Sequence, residues 1–293
     1  MSFTDSLLIT LKEFVTISLE LAVLFVVVSI LVGILSVYVS KERIQRVLGT
    51  KRSFLGSILG AVFGALTPFC SCSTIPITLG LLNSGVAFSS AMSFLFASPL
   101  LNPVILTMMA VLFGPKITVI YAVIMFVLAV TAGLILEKAG FSRYLKDVVV
   151  EGLVEETGPK FRRVVQYAGK IFKQMFPYLL LGALIGSVIH GFLPAEWVMA
   201  VAGPENLFAV PLAALIGIPL YIRAETILPI GAALIAKGMG VGSVVSLLIG
   251  GAGLSLPEVI MLSAMFKKKL LLAFILLVFA VAVLTGLTMQ IIF

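Results

Sequence analysis

The residues whose types and spacing most clearly invite chemistry are Cys70 and Cys72, in the run Thr67-Pro68-Phe69-Cys70-Ser71-Cys72-Ser73-Thr74. On a continuous helix, residues two apart point about 200° from one another, so the sulfurs would diverge. Pro68 and the surrounding hydroxyls instead predict an unwound turn, with a helix starting near Thr74. In such a turn alternate side chains share a side. Both thiols would then converge beside the hydroxyls of Ser71, Ser73 and Thr74 and close to a helix N-terminus. That positive helix end lowers a thiol pKa and favours anions. Soft ligands of this kind suit trivalent arsenic, Cu(I) or another thiophilic species. No other cysteine exists, and a bridge between residues two apart would be strained, so free thiols are expected. The competing reading is that each cysteine is a small buried hydrophobe.

Charged residues inside apolar stretches form a second group. Arg223 and Glu225 lie in Pro219-Leu-Tyr-Ile-Arg-Ala-Glu-Thr226, where each ionised side chain costs about 2.5–3.5 kcal/mol on insertion scales. Either they brace a helix break as an ion pair, or Arg223 attracts an anion or thiolate while Glu225 accepts a coupling proton. Glu258 follows Pro257 and reads as a coupling carboxylate, a site lining or a helix cap; Asn102, beside Pro103, is its polar counterpart upstream. Glu20 is a candidate lateral ion partner, and His190 and Trp197 read as residues of the membrane interface. The chain has no G-x-x-x-x-G-K-[ST] phosphate loop, no H-E-x-x-H and a single histidine outside any recognisable motif. ATP hydrolysis, metalloprotease chemistry and serine-protease chemistry are therefore not expected, and no cofactor is.

The elements that must position these residues are membrane helices. Of 293 residues, 61% are hydrophobic and 11% charged, with a mean hydropathy of +1.23. Soluble domains carry about 25% charged residues, so lipid must cover most of this surface. The net charge of +7 lies in short loops rather than on a phosphate-binding face, which argues against nucleic acid. Lys41–Arg52, Glu137–Lys173 and Lys267-Lys268-Lys269 together hold 16 of the 20 Lys and Arg. The positive-inside rule puts loops 40–52 and 138–173 in the cytoplasm and both termini outside, in a bacterial or archaeal cytoplasmic membrane. The first apolar run, about 14–39, reads as a retained transmembrane helix rather than a signal peptide.

Between the basic loops the apolar pieces are short. Breaks fall at Thr67-Pro68, Asn83-Ser84-Gly85, Ser98-Pro99 and Asn102-Pro103. These predict a helical hairpin (53–83), a broken helix (86–113) and a full helix (117–137). A shift of 153 residues lays Ser73-Thr74-Ile75-Pro76-Ile77 on Thr226-Ile227-Leu228-Pro229-Ile230, and Gly85 on Gly238. It also lays Gly56, Gly60 and Gly64 on Ala209, Ala213 and Gly217. With one residue of slippage, Asn102-Pro103 meets Leu256-Pro257. The expected fold is an all-α polytopic membrane protein with 8–10 helices in two inverted-topology repeats, each a hairpin plus a proline-broken helix. The divisions are a first repeat (1–137), a cytoplasmic loop (138–173) and an inverted second repeat (174–293). Discontinuous helices paired in this way put a solute site near the midplane.

The run Thr-Pro-Phe-Cys-Ser-Cys-Ser-Thr, with Ser98-Pro99 and Asn102-Pro103 after it, resembles the signature of the predicted permease family that includes the ArsP organoarsenical efflux permeases and the YraQ-type proteins. The resemblance extends over nearly the whole chain. It implies an efflux carrier whose Cys70 and Cys72 bind a thiophilic substrate, such as a trivalent organoarsenical, with protons as a possible coupling ion. No third cysteine completes a three-thiol arsenite site, which favours a substrate that already carries organic groups, or one not held by sulfur alone. Two alternatives stay open: a carrier of a sulfur-containing or oxyanionic solute that uses Arg223, and a membrane subunit in which the cysteines exchange thiols or electrons.

Overall fold

The computed structural model describes residues 53–67, 71–146, 208–220, 224–236 and 238–293, with a few single positions elsewhere. At 71–72, 219–220 and 224–226 the backbone alone is described. Of the first predicted helix only Val23, Val26, Val27 and Ile30 are described, all helical and exposed. The loop at 40–52, most of the 138–173 loop, and both Glu20 and the His190–Trp197 stretch lie outside the described residues.

Ten α-helices and no strand occur among the described residues. They are α1 (Ser53–Leu66), α2 (Ser71–Asn83), α3 (Phe88–Ala97), α4 (Pro103–Leu112) and α5 (Pro115–Lys138), then α6 (Ala209–Leu220), α7 (Ala224–Ala236), α8 (Val241–Gly253), α9 (Leu256–Met265) and α10 (Lys268–Ile292). A 3-10 turn, Phe141–Tyr144, follows α5. The boundaries have local causes. Helix α1 stops before Thr67-Pro68, because the proline ring disfavours α conformation in the residue ahead of it. Helix α2 ends in a Schellman motif: Gly85, at φ 78°, donates to Leu82 O at 3.0 Å, and Val86 N donates to Leu81 O at 3.1 Å. Asn102 caps α4, its Oδ1 accepting from Ile105 N at 2.8 Å, with Pro103 in the first helical position.

The two sets of five helices correspond. A shift of 153 residues takes α2 onto α7 (71 to 224) and α4 onto α9 (103 to 256), end to end, and matches the starts of α3 with α8 and α5 with α10. The Schellman turn recurs at Gly238, at φ 97°, with Gly238 N to Ile235 O at 2.9 Å and Met239 N to Leu234 O at 3.0 Å. Packing corresponds as well. Helix α1 lies on α3 as α6 lies on α8, and α2 packs on α9 as α7 packs on α4. The one-residue slippage expected at the second break is corrected. The N-caps Asn102 and Ser255 match without slippage, and Pro257 sits one position inside α9.

Helices α5 and α10 set the frame. At 24 and 25 residues they are about 36 Å long, enough to cross a hydrocarbon core of roughly 30 Å. They run antiparallel. Lys116, at the start of α5, lies 5.3 Å from the Phe293 ring centroid at the end of α10, and Thr285 Oγ1 meets Met125 Sδ at 3.5 Å midway. Their outward faces expose Val119, Val123, Val127, Leu272, Leu276 and Leu284, the surface expected against lipid. The chain is a multi-pass membrane protein.

At one end, the starts of α1 and α3 meet the end of α5. Ser53 Oγ donates to Glu137 Oε2 and lies 2.9 Å from Ser89 Oγ. Lys138, the 3-10 turn and Lys267–Lys269 cluster at the same end. At the other, Gly242 N donates to Gln290 Oε1 at 3.2 Å, joining the start of α8 to the end of α10.

Candidate functional site

Both helix breaks lie at the centre of this frame. The end of α1 meets the end of α3: Thr67 Oγ1 lies 3.3 Å from Ser98 Oγ, and Gly64 sits directly against Phe94 and Ala97. Thr67, just past the end of α1, therefore joins the break at 98–102. Any gap in a helix leaves carbonyls without amide partners, which is costly away from water. Buried Tyr121 of α5 answers part of that cost by donating its hydroxyl to Leu100 O at 2.9 Å. The second break, between α8 and α9, bends its helix pair by 43°. Leu100 reaches it, because a Cβ built on Gly253 would stand 3.3 Å from Leu100 Cδ1. The two breaks are neighbours.

Helix directions now define the site. Helices α2 and α9 pack together, and each runs from a break toward the Lys267 end. Helices α4 and α7 pack together, and each runs from a break toward the Lys116 end. Four helices thus begin at about one depth, within the span of α5 and α10. Their unsatisfied N–H groups and positive dipole ends face a common level, an arrangement that attracts anionic or electron-rich groups.

Many of the candidate residues fall at these four starts. In α2, Ser73 and Thr74 are buried in the first turn. Ser71 and Cys72 occupy the same turn by backbone; their side chains, with Cys70, lie outside the described residues. In α4, Asn102 is buried with Oδ1 committed to its cap, so its amide nitrogen is the group it could offer a solute. In α9, Glu258 is fully buried in the first turn. The N-cap Ser255 makes no side-chain capping bond, so Ser255-x-x-Glu258 does not close the Ser half of a capping box. Glu225 stands in the first turn of α7 by backbone, and Arg223 lies outside the described residues.

The expectation of an unwound stretch reaching Thr74 is corrected, because helix α2 already begins at Ser71. The first turn of a helix makes no demand on its own N–H groups, so Ser and Cys are admitted there as soon as Pro68 is passed. A consequence follows at Pro76 and Pro229, inside α2 and α7. Neither has an N–H to give the carbonyl four residues back, so the rungs to the Cys72 and Glu225 carbonyls are missing at matching positions.

Two features escaped sequence reasoning. Tyr121 has no local feature to set it apart from the other residues of an apolar helix, and only its reach to the break reveals its task. Glu137 was counted among cytoplasmic loop charges, yet it is half-buried and tied to Ser53. Its position at the end of a 24-residue apolar run was the available signal.

A lipid-facing bundle with two adjacent broken helices and four helix starts at mid-depth defines the class: a polytopic membrane protein built as permeases are. The chain belongs to the ArsP_1 family, described as predicted permeases, whose profile matches residues 7–291. It is similar to UPF0718 protein YcgR of Bacillus subtilis, at 26% identity over 87% of this chain and 88% of that one. It is also similar to UPF0718 protein YraQ of Escherichia coli, at 27% identity over 83% of this chain and 69% of that one. A third relative, from Streptococcus mutans, is named a putative two-component membrane permease complex subunit and is 24% identical over 92% of this chain and 91% of its own length. No solved structure matches the chain.

Proposed function

We propose that this protein is a secondary transporter made of two inverted repeats, which exports a thiophilic solute such as a trivalent organoarsenical. The reading rests on one observation: α2, α4, α7 and α9 all begin at the level where the two broken helices meet. In this mechanism Cys70 and Cys72 grip the solute through sulfur, with Ser71, Ser73, Thr74 and the amide of Asn102 around it. Arg223 and Glu225 approach from the second repeat. Release is driven by protonation at Glu258 or Glu225, since a carboxylate in an apolar membrane-embedded stretch gains or loses its charge at substantial cost. Rocking one repeat against the other exposes the shared level to each side in turn.

Uptake of a trivalent organoarsenical into inverted proteoliposomes, with and without a pH gradient, tests this. Cys70→Ser with Cys72→Ser should reduce flux by at least about tenfold, each sulfur contributing a bond that a hydroxyl cannot replace. Unchanged flux in the double variant would sink the thiol site.

The convergence of positive helix ends favours a second reading, transport of an oxyanionic or sulfur-containing solute held by Arg223. In that case Arg223→Ala abolishes binding while the cysteine double variant retains it.

A further inference from the structure

We propose that the end of the molecule carrying Lys267 holds a binding site for anionic phospholipid headgroups, built where the segment after α5 is stitched to the hinge between α9 and α10. The stitch is an isolated antiparallel bridge between Leu145 and Phe266, in which Lys267 N donates to Tyr144 O and Lys146 N to Met265 O, each at 2.9 Å. Lys146 Nζ adds a bond to Ser263 O at 2.6 Å. This small structure lies at the far end of α9 from the midplane site. It does bring basic side chains together that are more than a hundred residues apart in sequence.

Tyr144 is the centre of the patch. The Arg143 guanidinium carbon lies 5.1 Å from its ring centroid and Lys269 Nζ 5.5 Å, so both cations lean on one aromatic face system. Lys138, Arg143, Lys267, Lys268 and Lys269 are all exposed, and Lys146 is half-buried beside them. Among the described residues the one acid at this end, Glu137, is turned to Ser53. Such a concentration of like charge is repulsive unless an anion covers it.

Position selects a lipid over a soluble anion. The patch sits at the end of the two helices that cross the membrane, where a headgroup would lie. Directly below it, one turn into those helices, Ile135 and Leu272 are 54% and 58% exposed and present an apolar surface for an acyl chain. A phosphate above and hydrocarbon below is the profile of a phospholipid, and an aromatic side chain at the boundary suits the interface.

Native mass spectrometry of the full chain in detergent, titrated with phosphatidylglycerol, cardiolipin or phosphatidylcholine, tests the site. Anionic lipids should be retained over phosphatidylcholine. Each basic residue near a membrane surface is worth about a fivefold change, so Arg143→Gln, Lys267→Gln and Lys269→Gln together should weaken retention on the order of a hundredfold. Arg143→Lys should retain binding, which separates a lost charge from a damaged fold. Lys116→Gln, at the opposite end, should change nothing. Equal retention of all three lipids, or an equal loss in the Lys116 variant, overturns the proposal. Displacement of the lipid by inorganic phosphate at matching concentration also overturns it, by showing a free-anion site.

Discussion

Tyr121 shows how a single side chain can hold a discontinuity open. Its hydroxyl serves the Leu100 carbonyl that the break at 98–102 leaves without a helix partner. Tyr121→Phe keeps the ring and removes only that bond, so the chain should fold but lose about 1–3 kcal/mol, read as a lower unfolding temperature in detergent. The matching position in the second set is Phe274, which stacks on Phe96 at 4.7 Å between ring centroids. A phenyl ring at that position has no hydroxyl to offer the second break, and it packs on α3 instead. Glu258 is the residue to test for coupling. If it carries the proton, Glu258→Gln should abolish flux driven by a pH gradient while leaving solute exchange at equal pH intact. Loss of both would make it structural. The acid, its burial and its break were legible because a carboxylate after a proline in an apolar run has few local explanations. The role of Tyr121 was not, since the bond crosses from a helix to a break 21 residues away.

At the scale of elements, the caps and close approaches decide where helices stop and how near they come. Asn102→Ala removes the acceptor for Ile105 N and should cost about 0.5–2 kcal/mol, visible as a drop in unfolding temperature. The contact between Gly64 and the end of α3 is repeated by Gly217 and the end of α8, but more tightly. A Cβ on Gly217 would stand 2.6 Å from the Leu247 carbonyl oxygen, against 3.0 Å from Phe94 O at Gly64. Gly217→Ala should therefore be the more damaging of the two substitutions, by roughly 1–3 kcal/mol, in side-by-side unfolding measurements. Where α2 begins was misjudged by three residues, because Ser and Cys are as acceptable in a first helical turn as in a loop.

At the scale of the whole molecule, the described helices are arranged around the antiparallel pair α5 and α10, with the basic patch at one end and Lys116 at the other. If the second set of helices is the first set inverted, Lys116 and Lys269 lie on opposite sides of the membrane, with Lys269 in the cytoplasm. Single cysteines at these two positions, in a background where Cys70 and Cys72 are serine, should be labelled by an impermeant maleimide from opposite faces of oriented vesicles. Labelling of both from one face would contradict the inversion. The reciprocal packing of α2 on α9 and of α4 on α7 is what a two-fold relation between the sets would require, since such an axis returns every contact in mirrored partners.

By itself the sequence determined the medium, the breaks and the 153-residue spacing that the two described sets of helices share. Each is carried locally: too few charges to face water, prolines and glycines that end helices wherever they fall, and a spacing of such residues that repeats. Tertiary structure alone decided that the two breaks touch, that four helix starts share one depth, that Tyr121 serves Leu100, and that the basic residues around Tyr144 meet. Those facts depend on packing between segments remote in the chain. In a bundle where nearly every face is apolar, no periodicity in the sequence says which face meets which.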